Sequence, residues 1–207
     1  MKAYCISGLG ADQRVYNNLE IKYEKISISW ITPLKNESLK NYAIRLSQKI
    51  DQDEEFILIG VSFGGLIAVE ISKILKPKFT VLISTIEKSS ELPFLYRLVS
   101  KMNFVKYLPS KLFHMPFFIA SFLFGTKNLL LKEILQDSDL SFTKWAINTL
   151  LHWKNETSIN NCVKINGTSD LILSSYESDF YIKNGHHFMI VDRADEISEI
   201  INTYTNH

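Results

Sequence analysis

Residues 56–68, Phe-Ile-Leu-Ile-Gly-Val-Ser-Phe-Gly-Gly-Leu-Ile-Ala, change character within two positions. An apolar run of strand length ends in Gly60-Val61-Ser62-Phe63-Gly64, and a helix-like pattern begins at once. That order reads as a buried strand, a very tight turn and a helix, with Ser62 at the corner. A serine lifted above the end of a sheet in this way needs a positive-φ backbone, a strain of roughly 1–3 kcal/mol. Small residues two positions to either side let strand and helix pass closely, and Gly60 and Gly64 supply them. The Phe63 amide then stands at a helix N-terminus, where unpaired N–H groups favour negative charge.

The rest of the chain alternates around this corner. Apolar or β-branched runs at Ala3–Ser7, Lys25–Trp30, Phe56–Val61, Phe79–Ser84, Cys162–Asn166 and Asp179–Lys183 read as strands. Helical spacing recurs from Ser38 to Ile50, from the corner to about Leu75, and from Asp192 to Tyr204, with a short helix over Arg14–Leu19. Such alternation predicts an α/β fold: a mainly parallel sheet of about six strands, covered by helices on both faces. The 207 residues fit a single domain, 1–207. Ligands of such sheets bind at the carboxyl ends of the strands, where Ser62 and the Gly8-Leu9-Gly10 turn both fall. Those two glycines lack the third glycine and the helix of a dinucleotide site.

Residues 88–155 break the alternation. They contain no convincing strand, and their apolar positions are crowded with aromatics from Phe94 to Phe124 and again at Trp145 and Trp153. Inserted between two strands at their carboxyl ends, this stretch is expected to lie over the sheet as a helical cap. Most of its aromatics pack the cap onto the core, and a few line the roof of an apolar pocket. Arg97, Lys101, Lys106 and Lys111 make its first half basic. A solvated helix face accounts for them; contact with an anionic surface or an acidic acyl carrier is the alternative.

A net charge of +1 gives no reason to expect nucleic acid as a partner. Cys5 and Cys162 sit far apart in strand-like runs, fail any zinc spacing, and read as buried thiols of a reducing compartment. Pro116–Gly125, the most apolar stretch, is too short to span a bilayer. Asp12 and Arg14 interrupt any signal-peptide core, so a cytoplasmic location is expected.

A serine hydroxyl needs a base to act as a nucleophile, and the base needs a carboxylate to hold its tautomer. Of five histidines, His114 and His152 lie in residues 88–155 and His207 is terminal. His186 and His187 follow the last strand, and Asp170 follows the strand before it, all at the Ser62 edge. Each has a structural explanation taken singly: a turn aspartate, a core histidine. Together they run in the order Ser, Asp, His.

At these residues the chain resembles the α/β-hydrolase superfamily, in particular its small single-domain serine hydrolases. Ser7-Gly8-Leu9-Gly10 is similar to the oxyanion loop, Gly60-Val61-Ser62-Phe63-Gly64 to the nucleophile elbow, Ile165-Asn166-Gly167-Thr168-Ser169-Asp170 to the strand and turn bearing the acid, and Gly185-His186-His187-Phe188 to the histidine loop. The resemblance implies Ser62 as nucleophile, His187 as base, Asp170 as acid, and the amides of Phe63 and Leu9 as oxyanion donors. His186 is the alternative base and Glu87 the alternative acid. The chain departs from the pattern in three places: Ser7-Gly8 stands where many members have His-Gly, two N-terminal strands are absent, and the histidine is doubled. The implied activity is cleavage of a carboxylic ester or thioester, without metal or organic cofactor, on a substrate with an apolar group. The same triad could serve an acyltransferase or a C–C lyase, and a catalytically silent ligand-binding member is the remaining alternative.

Overall fold

Every residue of Phe56–Val61 is buried, so this strand requires cover on both faces and a neighbour on both edges. The computed structural model, which describes residues 1–102, 104–174 and 177–205, meets that requirement. Six strands form one sheet: β1 Lys2–Ile6, β2 Glu24–Ser27, β3 Phe56–Val61, β4 Phe79–Ile83, β5 Cys162–Gly167 and β6 Phe180–Ile182. Their order is β2-β1-β3-β4-β5-β6, and every pairing is parallel. The helices are α1 Leu39–Ser47, α2 Phe63–Leu75, α3 Phe94–Met102, α4 Phe117–Phe124, α5 Leu129–Asp137, α6 Leu140–His152, α7 Met189–Asp192 and α8 Ala194–Tyr204.

Strand alternation divides the core into two layers. Tyr4, Ile6, Leu58 and Leu82 point to one face, against Tyr42 and Leu46 of α1 and Leu66 and Ile67 of α2. Cys5, Ile57, Ile59, Val81 and Val163 point to the other, against Ile197 and Ile201 of α8. Each fully buried aliphatic side chain contributes about 1.5–3 kcal/mol. The chain leaves β1 toward β2 on one side and resumes the sheet at β3 on the other. The carboxyl ends of β1 and β3 therefore flank the point where the winding reverses, the place at which open α/β sheets form a crevice.

Several boundaries differ from the sequence expectation. β2 stops at Ser27, because Trp30 leaves this edge strand to pack against Phe63 and Phe142 and to donate to the Ala11 carbonyl (3.0 Å). β4 stops at Ile83, where Ser84 takes φ +49°. The Arg14–Leu19 helix is instead a 3₁₀ turn over Gln13–Tyr16, capped by Asp12. The last helix, expected from Asp192, begins at Ala194, and Arg193 (φ −132°) separates it from the short α7 before it. His207 lies outside the described residues. Among the described residues no helix is long and apolar enough to cross a membrane, and both cysteines are free thiols.

The strand–helix corner is packed at backbone level. A Cβ at Gly60 would stand 2.7 Å from the Gly64 carbonyl oxygen and from the Gly65 Cα, and one at Gly64 would overlap the carbonyl oxygens of Ile6 and Ser7. No side-chain rotation relieves overlap with backbone. Gly64→Ala is therefore expected to destabilise the fold by about 1–3 kcal/mol or more, read as a lower midpoint in urea. An unchanged midpoint would show that β1 and α2 are not in contact there.

Candidate active site

Three loops at the carboxyl edge of the sheet supply the site. Ser62, between β3 and α2, has φ +52° and ψ −122°. That conformation is held from both sides. The Ser62 amide donates to the Ile83 carbonyl (2.9 Å), and its own carbonyl accepts from the Thr85 hydroxyl (2.7 Å) and the Gly65 amide (2.8 Å). Next to it, the buried Phe63 ring inserts among Trp30, Phe142 and Trp145, so the start of α2 is anchored by an aromatic cluster.

The loops after β5 and β6 are laced together before either reaches Ser62. The Thr168 amide donates to the Ile182 carbonyl (3.0 Å) and the Ser169 amide to that of Gly185 (2.9 Å). The Asn184 amide donates to the Thr168 hydroxyl (2.8 Å). A side chain at Gly167 would overlap the Gly185 backbone, so this contact also depends on glycine. Asp170 and His187, seventeen residues apart in the chain, are thereby set face to face.

His187 Nδ1 lies 2.8 Å from Asp170 Oδ2, and His187 Nε2 lies 2.8 Å from Ser62 Oγ. A carboxylate only accepts, so Nδ1 carries the proton, and Nε2 presents a lone pair to the Ser62 hydroxyl. Both Asp170 (5% exposed) and His187 (3%) are buried, whereas Ser62 keeps partial exposure. The other Asp170 oxygen accepts from the amides of Ile172 (2.8 Å) and Leu173 (3.1 Å). Burial is the largest influence on this carboxyl and opposes its ionisation. The adjacent imidazole, its hydrogen bond and the two amides together outweigh burial, and Asp170 titrates below the ordinary carboxylate value.

The other candidates are placed elsewhere. His186 turns away from Ser62: its Nδ1 meets the Ser169 carbonyl (3.0 Å), and its ring packs on Gly125. Glu87 accepts from the Ile159 amide (2.7 Å) and stands 3.9 Å from the Lys164 ammonium, in a buried ionic group beside the sheet. Neither joins His187. Leu9 and Phe63 both border the space in front of Ser62, with Gly8 close enough that a Cβ there would touch Ser62 Cβ at 3.4 Å. Among the described residues neither the Leu9 nor the Phe63 amide has an acceptor.

In front of Ser62 opens a cavity of about 410 Å³, roofed by α3, α4, α5 and α6. Leu95, Phe124, Ile134 and Leu150 are among its walls, and among the described residues no Asp, Glu, Lys or Arg lines it. Phe124 also packs edge-on to the His187 ring (5.3 Å). Tyr96 enters the cavity from α3; burial first, then the nearby Asp170 charge, raises its phenol above the ordinary value.

No family model matches the chain, and no curated protein sequence does. Solved structures do. An esterase of Thermogutta terrifontis superposes with a TM-score of 0.71 at 13% identity, covering 100% of this chain and 89% of that one. A lipase-esterase related protein of Clostridium acetobutylicum gives 0.66 at 17% identity, covering 98% and 93%. ClbQ, from the colibactin NRPS/PKS pathway, gives 0.66 at 14% identity, covering 99% and 96%. The chain has the α/β-hydrolase fold. In this α/β-hydrolase fold the helical insert joins β4 to β5, and two residues to which the sequence assigned no role, Thr85 and Asn166, support the strand–helix corner at Ser62. Asn166 on β5 accepts from the Thr85 amide (3.0 Å) and donates to the Thr85 carbonyl (3.1 Å), fixing the residue whose hydroxyl holds Ser62. A second polar residue, after Lys164, in a strand of buried pattern was the available signal.

Because Asp170 titrates lower when folded than when unfolded, its ionised form stabilises the fold above the ordinary carboxylate value. That contribution is lost as pH falls through the lower, folded value. The stability difference between the parent protein and Asp170→Asn is therefore expected to shrink progressively below about pH 5. Thermal unfolding at a series of pH values checks it, and a difference that widens on acidification would contradict the sign.

Proposed function

We propose that the chain is a serine hydrolase that cleaves a carboxylic ester or thioester carrying an apolar acyl or alkyl group. The observation that carries this reading is the continuous hydrogen-bonded line from Asp170 through His187 to Ser62, opening into a cavity without charge. Ser62 Oγ attacks the carbonyl carbon while its proton passes to His187 Nε2. Negative charge then develops on the carbonyl oxygen, for which the Phe63 and Leu9 amides are the donors at hand. Donors of this kind contribute about 2.7–4 kcal/mol each by deletion. Collapse of the adduct breaks the bond to the leaving group, which takes the proton from His187. Water, deprotonated by His187, then attacks the acyl-serine, releases the acid and restores the hydroxyl.

Asp170 serves this sequence by keeping the proton on Nδ1 and by stabilising the imidazolium. Held below the ordinary carboxylate value, Asp170 is an anion at neutral pH. The cavity sets substrate preference: each buried methylene adds about 0.8 kcal/mol, and a charged acyl group finds no counter-charge.

Hydrolysis of a nitrophenyl ester series of increasing acyl length tests the reading. The second-order rate constant is expected to rise with chain length until the cavity is filled. Ser62→Ala and His187→Ala should each lower kcat by about 10⁴ or more, and Asp170→Asn by about 10⁴. His186→Ala should stay within a few fold of the parent. Equal losses at His186 and His187, or activity surviving in Ser62→Ala, would overturn the assignment.

A further inference from the structure

The outer surface of the insert has a composition unlike the rest of the molecule. Residues 92–132 contain six cations, Arg97, Lys101, Lys106, Lys111, Lys127 and Lys132, and none of the chain's 22 acidic residues. All six are exposed, and among the described residues none is paired with a carboxylate. The same fifth of the chain holds eleven of the eighteen exposed large apolar side chains, including Phe94, Met102, Tyr107, Phe118 and Phe122.

The arrangement follows helix geometry. On α3, at 100° per residue, Phe94, Leu98 and Met102 fall on one arc and Lys101 borders it, while Tyr96 and Val99 face the cavity. On α4, Phe118 (75% exposed) and Phe122 (72%) are one turn apart and face outward, while Leu123 and Phe124 line the cavity. Lys106 lies over the Tyr107 ring at 4.9 Å, a cation and an aromatic presented together. No α3 residue is buried, so the helix spends an apolar arc on water.

We propose that this face docks on an anionic lipid bilayer, α3 and α4 lying in the interface with their apolar arcs among the acyl chains. Unpaired lysines and arginines beside exposed Phe, Leu and Met match a surface of negative headgroups over hydrocarbon. An acidic protein would satisfy the cations and leave the apolar arcs in water. A second copy of this chain would set six cations against six. Leu95 is both exposed and a wall of the cavity, which places the proposed docking face next to the space in front of Ser62. An acyl chain could pass from bilayer to cavity without crossing water. That last step rests on the hydrolase reading; the docking does not.

Sedimentation with phosphatidylcholine vesicles, with and without phosphatidylglycerol, tests the docking, using Ser62→Ala so that turnover plays no part. Binding is expected only to the anionic vesicles and should weaken as salt is raised. Neutralising Lys101, Lys106 and Lys111 to Gln should lower the partition coefficient about fivefold per charge. Phe94→Ser with Leu98→Ser should lower it further. The same substitutions in the active protein should leave hydrolysis of a short soluble ester unchanged, which separates docking from catalysis. Absence of binding to anionic vesicles at low salt, or binding indifferent to these substitutions, overturns the proposal. So does a dimer, seen by sedimentation velocity, that Phe94→Ser with Leu98→Ser dissociates; that result would assign the face to a second copy.

Discussion

Ser62 is held in a backbone conformation that an L-residue rarely adopts, and the structure is arranged to keep it there. Gly60 and Gly64 let β3, α2 and the end of β1 approach to backbone contact. Thr85, itself clamped by Asn166, grips the Ser62 carbonyl from the loop after β4, and the Phe63 ring locks the first turn of α2 into an aromatic cluster. A strain of roughly 1–3 kcal/mol persists only when its surroundings over-determine it. Four strands or loops converge on this one residue. The result is a hydroxyl at the mouth of a cavity with helix-terminal amides beside it.

The imidazole and the carboxylate arrive by a separate route. The loops after β5 and β6 are tied to each other by backbone hydrogen bonds, and the joined unit presents Asp170 and His187 to Ser62 as one piece. Sheet order makes this workable. β4 lies between β3 and β5, so the loops converge over its end, where the chain departs into the helical insert. The insert closes the space above Ser62 with apolar side chains and gives its opposite side to solvent.

Much of this could be read from residue pattern. The Ser62 corner is local: an apolar strand, two glycines at fixed offsets and a helix carry their own geometry. Asp170 and His187 required only that strand ends of a parallel sheet share an edge. What pattern does not carry is lateral contact between distant segments. Doubled histidines look alike in sequence, and their separation depends on Ser169 and Gly125, which draw His186 away. Glu87 follows a strand just as Asp170 does, yet Lys164 and the Ile159 amide occupy it. The insert was the least legible part, because Phe, Leu and Tyr at helical spacing serve an inner wall or an outer face equally well. Trp30 reads as strand and is instead part of the cluster that anchors Phe63.

The proposed nucleophile is Ser62, made reactive by His187 and Asp170. Reaction of the folded protein with a fluorophosphonate, followed by mass mapping of the adduct, tests it most directly. One adduct is expected, on Ser62, formed much more slowly after Asp170→Asn and not at all in unfolded protein. A folded protein that stays unlabelled, or is labelled at another serine at the same rate when Ser62 is replaced, would contradict it.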